Sequence, residues 1–307
     1  MKYKLFIIVL FVSFFIAGKS FSATHIVSDG KVAVFIGQDN VTMRRYVQET
    51  GHQPAGFMIY ISIQETEGLD SWSTDYGSGT CNADDLLEKY PGRAIQIGLY
   101  MVDALKPTHQ GVYDANIERM ARWMKAVKVP VFLRIGYEFD GPHNHYDPQE
   151  YKKAYIHIVD KLRAADVTNV DYVWHSFSNA LVKDIAPWYP GDDYVDWVGL
   201  SYFDQPQDFM THIVDFATAR NKPLMIAEAT PKNKRLKSSL AWKIWYQPFF
   251  RFVEMNGIKA ISYINSHWES MPMWQGKQWG DARVQAYPKI KDLWLEKMKE
   301  ERYQFEF

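Results

Sequence analysis

Glu138 lies in the segment Arg134-Ile-Gly-Tyr-Glu138-Phe-Asp-Gly, and Glu228 lies in Pro223-Leu-Met-Ile-Ala-Glu228-Ala. Each follows a short apolar run with the character of a buried strand. A carboxylate at the end of such a strand is costly to desolvate unless it faces a polar cleft. Two of them, one per strand, suggest paired-carboxylate chemistry, and glycoside hydrolysis is the best-known use of such a pair. The plainer reading makes each glutamate half of a structural ion pair.

The elements that must position this pair can be read from the hydrophobic pattern. Eight apolar runs occur at Val32–Gly37, Gly56–Ile63, Ala94–Met101, Val131–Tyr137, Val170–His175, Trp197–Tyr202, Pro223–Ala227 and Ala260–Ile264. Amphipathic segments separate them. Ile117, Met120, Ala121, Met124 and Val127 follow helical spacing within Asp114–Lys128, as a helix with one buried face requires. Tyr151, Ala154, Tyr155, Ile158, Val159 and Leu162 repeat that spacing behind Asp147-Pro148, an N-cap followed by a first-turn proline. Eight β-then-α units predict a single (β/α)₈ TIM barrel over residues 23–307; a doubly wound open sheet would usually need fewer strands. The loop Gln64–Gly92, with Trp72, Tyr76, Gly77 and Gly79, is long enough to lie over the active end. Trp188–Asp196, with Pro190-Gly191, has turn chemistry leading into the sixth strand.

Composition bounds the function. The chain has 307 residues, 47% of them hydrophobic, so a sizeable core is available. A net charge of −1 argues against a nucleic-acid partner. Eleven Trp and 19 Tyr could stack on sugar rings or simply fill the core. Residues 1–22 are expected to be a cleavable signal peptide: Lys2 and Lys4 precede the apolar stretch Leu5–Ala17, and Ser20-Phe-Ser22 supplies small residues for cleavage. A secreted or periplasmic protein, free of the membrane after cleavage, is the expectation. Cys81 is the only cysteine, which leaves neither a disulfide framework nor a lipid-anchor cysteine after the leader. A monomer without cofactor or metal is expected. Asp140, His143 and His145 match no strong ligand spacing.

In a barrel of this kind the active site is built at the C-terminal strand ends. Those ends offer Tyr100 from the third strand, then Arg134, Glu138 and Asp140 from the fourth. Trp174 and His175 come from the fifth, Tyr202 from the sixth, Glu228 from the seventh and Trp268 from the eighth. Even spacing in a strand puts Arg134 on the same face as Glu138. Asp140, Trp174, His175 and Tyr100 are candidate substrate contacts. Each has a core or ion-pair role as its competitor.

An arginine four residues before the strand-4 glutamate, with a second glutamate on strand 7, resembles the clan of retaining (β/α)₈ glycoside hydrolases. Within it the chain is most similar to glycoside hydrolase family 26. The resemblance spans roughly residues 90–295 and rests on Arg134–Gly141, Trp188–Tyr202, Lys222–Glu228 and Trp279–Arg283. It implies a secreted retaining endo-β-glycanase with Glu138 as general acid/base and Glu228 as nucleophile. It further implies that Arg134 pairs with Glu228 and lowers its pKa, that Tyr202 donates a hydrogen bond to Glu228, and that Trp268 forms a platform under the sugar. Tyr137 stands where family 26 mannanases usually carry His, and Phe139-Asp140 replaces their usual Met-Asn. Tyr137 is therefore expected to be a substrate contact of altered type. The resemblance implies a polysaccharide or oligosaccharide as the binding partner, β-mannan or β-1,3-xylan being the expected substrates. The basic cluster Lys232–Lys237, just after Glu228, suggests an anionic polysaccharide instead. A non-catalytic glycan-binding barrel is the alternative outside enzymology.

Overall fold

The computed structural model describes residues 23–182, 184–232 and 239–307; the leader expected at residues 1–22 lies outside the described residues. Eight parallel strands form a closed barrel: β1 (Val32–Gly37), β2 (Gly56–Ser62), β3 (Ala94–Tyr100), β4 (Val131–Ile135), β5 (Val170–Ser176), β6 (Trp197–Tyr202), β7 (Leu224–Ala229) and β8 (Ala260–Ile264). Each pairs with the next, and β1 pairs with both β8 and β2, which closes the ring. A two-residue strand, β9 (Tyr303–Gln304), adds to β1 beside Val32 and Ala33.

The helical layer is α1 (Asn40–Thr50), α2 (Ala83–Lys89), α3 (Leu105–His109), α4 (Asp114–Val127), α5 (Pro148–Ala164), α6 (Thr211–Ala219), α7 (Ser239–Ala241), α8 (Gln247–Met255) and α9 (Pro288–Met298). A π-helical turn, Trp242–Tyr246, joins α7 to α8. Side-chain caps start several of these where the strand-to-helix turns end. Asp39 accepts from Thr42 N, Asn82 from Asp85 N, and Asp147 from Gln149 N and Glu150 N. Between β5 and β6 the described residues form only the short 3₁₀ turns Ala186–Trp188 and Asp192–Tyr194. Expected and observed strands differ chiefly at two ends. β4 stops at Ile135 because Gly136 turns to φ 54°, and β7 runs on to Ala229.

The barrel interior is apolar at its floor. Phe35, Phe132, Val173, Trp197 and Met225 pack there, and Phe307 closes against Phe35 and Phe132. Asp171 of β5 is buried at this end, accepting from the main-chain N–H of Thr24 and His25 and from Trp197 Nε1. Those donors satisfy a charge that burial alone would make costly. Above the floor the inward positions turn polar: Gln96, Arg134, His175, Ser201 and Ser262. Space for the arginine comes from Gly98, where a Cβ would lie 2.7 Å from Arg134 Nη2.

Candidate active site

The polar layer opens at the C-terminal strand ends, where both glutamates converge. Their approach depends on two breaks in strand alternation. In β7, Leu200 of β6 pairs with Ile226, but the next pair is Ser201 with Glu228, so Ala227 is an extra residue. Ala227 packs into the barrel interior, and regular alternation would send Glu228 to the helices. The bulge turns Glu228 inward as well. In β4, alternation ends at Gly136, and Glu138 itself sits at φ 54°, a left-handed conformation costing about 1–2 kcal/mol for a residue with a Cβ. Arg134 and Glu138, expected on one strand face, therefore do not share one. Arg134 points from the strand, whereas Glu138 is aimed by the turn after it.

That turn is clamped. Phe139 N donates to His175 O, Gly141 N to Glu138 O, and Asn144 Nδ2 to the carbonyls of Tyr137 and Glu138. Asp140, expected as a substrate contact, is instead the anchor of this turn. Its carboxylate accepts from Ser176 Oγ and from the N–H groups of Phe177 and Asn179. With its acceptor sites occupied by the neighbouring loop, it is withdrawn from the cleft.

Arg134 is fully buried and its Nη1 donates to Glu228 Oε1. The rings of Tyr60 and Tyr137 stand 5.0 and 5.3 Å from the guanidinium. Burial pushes the Glu228 carboxyl up to about 7; Arg134 and Tyr60 pull it down, and the nearby Glu138 pushes it further up. The resemblance led to the opposite net direction, because it weighed the arginine without the desolvation. Glu138 accepts from Ser201 Oγ at 2.5 Å through Oε1, and its Oε2 lies 2.9 Å from His143 Nε2. One oxygen of each glutamate and one nitrogen of His175 fall within 4.8 Å of one another. Both His175 nitrogens are engaged, by Arg134 and by Ser201, and the arginine cation abuts Glu228. The trio is thus poorly suited to holding a metal ion.

Three further expectations are corrected. Tyr202 does not reach Glu228: it points into the helical layer, packs on Trp245, Phe249 and Phe252, and its hydroxyl accepts from Gln207 Nε2. By alternation Ser201, not Tyr202, faces inward, and Tyr60 of β2 supplies the hydroxyl beside Glu228. Trp174 is fully buried outside the barrel, stacked on Phe139 at 4.2 Å, so it lines no cleft. His175 is also fully buried and contacts Arg134 and Ser201 rather than open space. Strand alternation could have found Ser201; nothing local pointed to Tyr60.

The rim is aromatic. Trp268 forms a cluster with Trp274 and Trp279, at ring separations of 4.9–5.1 Å, and its Nε1 donates to Thr230 Oγ1 at 3.4 Å. Trp274 Nε1 donates to Gly77 O, which ties the long β2 loop to the β8 loop. In that loop Trp72 and Tyr76 are 51% and 62% exposed, and Tyr100 at the end of β3 is 38% exposed. Lys232 lies 4.5 Å over the Trp279 ring; the rest of the cluster Lys232–Lys237 lies outside the described residues.

A family model described as glycosyl hydrolase family 26 matches residues 95–271. A β-1,3-xylanase, TXYA, of a Vibrio species is 33% identical over 309 positions, covering 91% of this chain and 67% of the relative. A β-1,3-xylanase of an Alcaligenes species is 32% identical, covering 89% of this chain and 64% of that protein. The chain thus spans about two thirds of the length of these curated relatives. Among solved structures, a family 26 β-mannanase from Bacteroides ovatus superposes with a TM-score of 0.65, at 16% identity and over 90% of each chain. At that identity the likeness is one of fold.

Proposed function

Since the chain belongs to glycosyl hydrolase family 26, we propose that this glycoside hydrolase is a retaining endo-β-1,3-xylanase working through Glu228 and Glu138. The observation that carries the mechanism is the approach of the two carboxyls, with oxygens within 4.8 Å. Retaining pairs lie about 5–5.5 Å apart, whereas inverting pairs need about 6.5–9.5 Å to admit a water. Glu228 attacks the anomeric carbon as the glycosidic C–O bond breaks, and the proton on Glu138 passes to the leaving oxygen. Glu138, now a carboxylate, takes a proton from water, and that water displaces Glu228 from the sugar. Two inversions restore the original configuration. The substrate class is taken from the two xylanase relatives, each aligned over nine-tenths of this chain. Export through residues 1–22 and action as a monomer belong to the same proposal.

The test is a panel of β-1,3-xylan, β-mannan, mixed-linkage β-glucan and a sulfated algal polysaccharide, read as reducing ends. The first-formed product's anomer is followed by NMR. Internal cleavage of xylan with a β-configured first product is expected. An α product would overturn the retaining mechanism, and release from mannan alone would overturn the substrate. Release from the sulfated polymer that weakens with salt would favour the anionic reading instead.

Tyr60 and Tyr202 make an internal contrast on that substrate. Tyr60→Phe removes a hydroxyl facing a charged carboxylate and is expected to lower kcat/KM roughly tenfold. Tyr202→Phe removes a hydroxyl bonded to Gln207 and should leave kcat/KM within about twofold, since no charged group loses a partner. The reverse order would restore Tyr202 to the site.

A further inference from the structure

Hydrogen-bond directions around Glu138 can be followed outward from Arg134. A guanidinium only donates, so His175 Nδ1, 3.4 Å from Arg134 Nη1, is an acceptor. Burial and the arginine hold His175 well below the ordinary imidazole range, so it is neutral with its proton on Nε2. Nε2 therefore donates to Ser201 Oγ at 3.0 Å, and the serine proton goes to Glu138 Oε1 at 2.5 Å. Oε1 is thereby fixed as an acceptor. A proton on Glu138 must sit on the other oxygen, Oε2, and His143 Nε2 faces that oxygen at 2.9 Å.

His143 is half exposed, edge-on to Phe177 at 5.4 Å, and held where a Cβ on Gly141 would lie 2.6 Å from its ring. The charged groups that act on it are Glu138 in contact, then Glu228 and Asp140, all acidic. Its proton affinity is raised, chiefly by the hydrogen bond to Glu138, against the effect of burial.

We propose that His143 is a positioning residue that shares one proton with Oε2 of Glu138 and holds it ready for the leaving oxygen. The inference rests on Glu138 being the general acid/base. In the free enzyme the proton lies between Oε2 and Nε2. During bond cleavage it goes to the departing alcohol, leaving Glu138 as carboxylate and His143 neutral. When Glu138 deprotonates water in the second half-reaction, the pair regains one proton, so the cycle balances.

The experiment compares His143→Gln with wild type on β-1,3-xylan and on an aryl β-1,3-xylo-oligosaccharide whose dinitrophenolate leaves without protonation. On xylan the alkaline limb of kcat/KM is expected to move down by about one pH unit, because the raised proton affinity of His143 no longer holds the shared proton. The first step on the aryl substrate, read as the dinitrophenolate burst, should hold within about threefold, since it needs no acid. Equal losses on both substrates with an unmoved alkaline limb would make His143 merely structural and overturn the proposal. Glu138→Gln on the same two substrates separates the premises. If it spares the burst while His143→Gln does not, only this inference fails. If it loses the burst too, the assignment of Glu138 fails first.

Discussion

Glu228→Gln is expected to lower kcat on β-1,3-xylan by about 10⁶-fold while leaving the fold intact, because the amide keeps the shape and loses the attacking charge. Glu138→Gln should cost about 10²–10⁴-fold on the same polymer, the usual worth of general acid–base assistance. The pH profiles then distinguish the two roles. Glu228 attacks only as a carboxylate, and burial holds its pKa up at about 7 against an ordinary 4.5. Wild-type activity should therefore fall as pH drops through that region. Glu138 is one of the groups pushing that value up. With the shared proton drawn towards His143, the Glu138 carboxylate faces Glu228 in the free enzyme; its removal favours the ionised nucleophile, so the acid limb of Glu138→Gln is expected to move to lower pH. The readout is the dinitrophenolate burst, which does not need the missing acid. A limb that stays in place or rises would show that the two carboxyls are not coupled. Residual polymer cleavage by Glu228→Gln near the wild-type rate would remove Glu228 as nucleophile.

Arg134→Met is expected to have the next largest effect, and in two quantities at once. The guanidinium is fully buried, paired with Glu228, bonded to His175 and flanked by the rings of Tyr60 and Tyr137. Removing one partner of a buried pair costs about 3–5 kcal/mol, because the other charge is left without compensation. Glu228 can escape part of that cost by taking up a proton. Its pKa then rises further, and the acid limb should move to higher pH, opposite to Glu138→Gln. Arg134→Lys should not rescue activity: a compact ammonium on a flexible stem cannot lie as a planar group between the rings of Tyr60 and Tyr137, and so is not held against Glu228. A loss of roughly 10²-fold is expected from the misplaced nucleophile alone. Urea unfolding with the pH–rate profile checks both parts. The double variant Arg134→Met/Glu228→Gln should recover stability over Arg134→Met, since no carboxylate is stranded. No recovery would show that packing, not charge, is what the arginine supplies.

Much of this molecule was legible in its sequence. Eight apolar runs separated by helical patterns specify a barrel because each is encoded within a few residues. Both glutamates stood out because a carboxylate ending a buried strand is too costly to be incidental. The resemblance to family 26 was carried by segments that the family match also covers in large part. Which neighbours the glutamates meet was decided only by the tertiary structure. Alternation breaks at Gly136 and at Ala227, and these breaks aim Glu138 and Glu228 into one cleft. The same geometry sends Tyr202 and Trp174 into the helical layer, turns Asp140 into a loop anchor, and brings Tyr60 and His143 beside the two carboxylates. A strand's apolar content is a local property. The aim of the side chain at its end depends on register with strands far along the chain, and that register exists only once the barrel has closed.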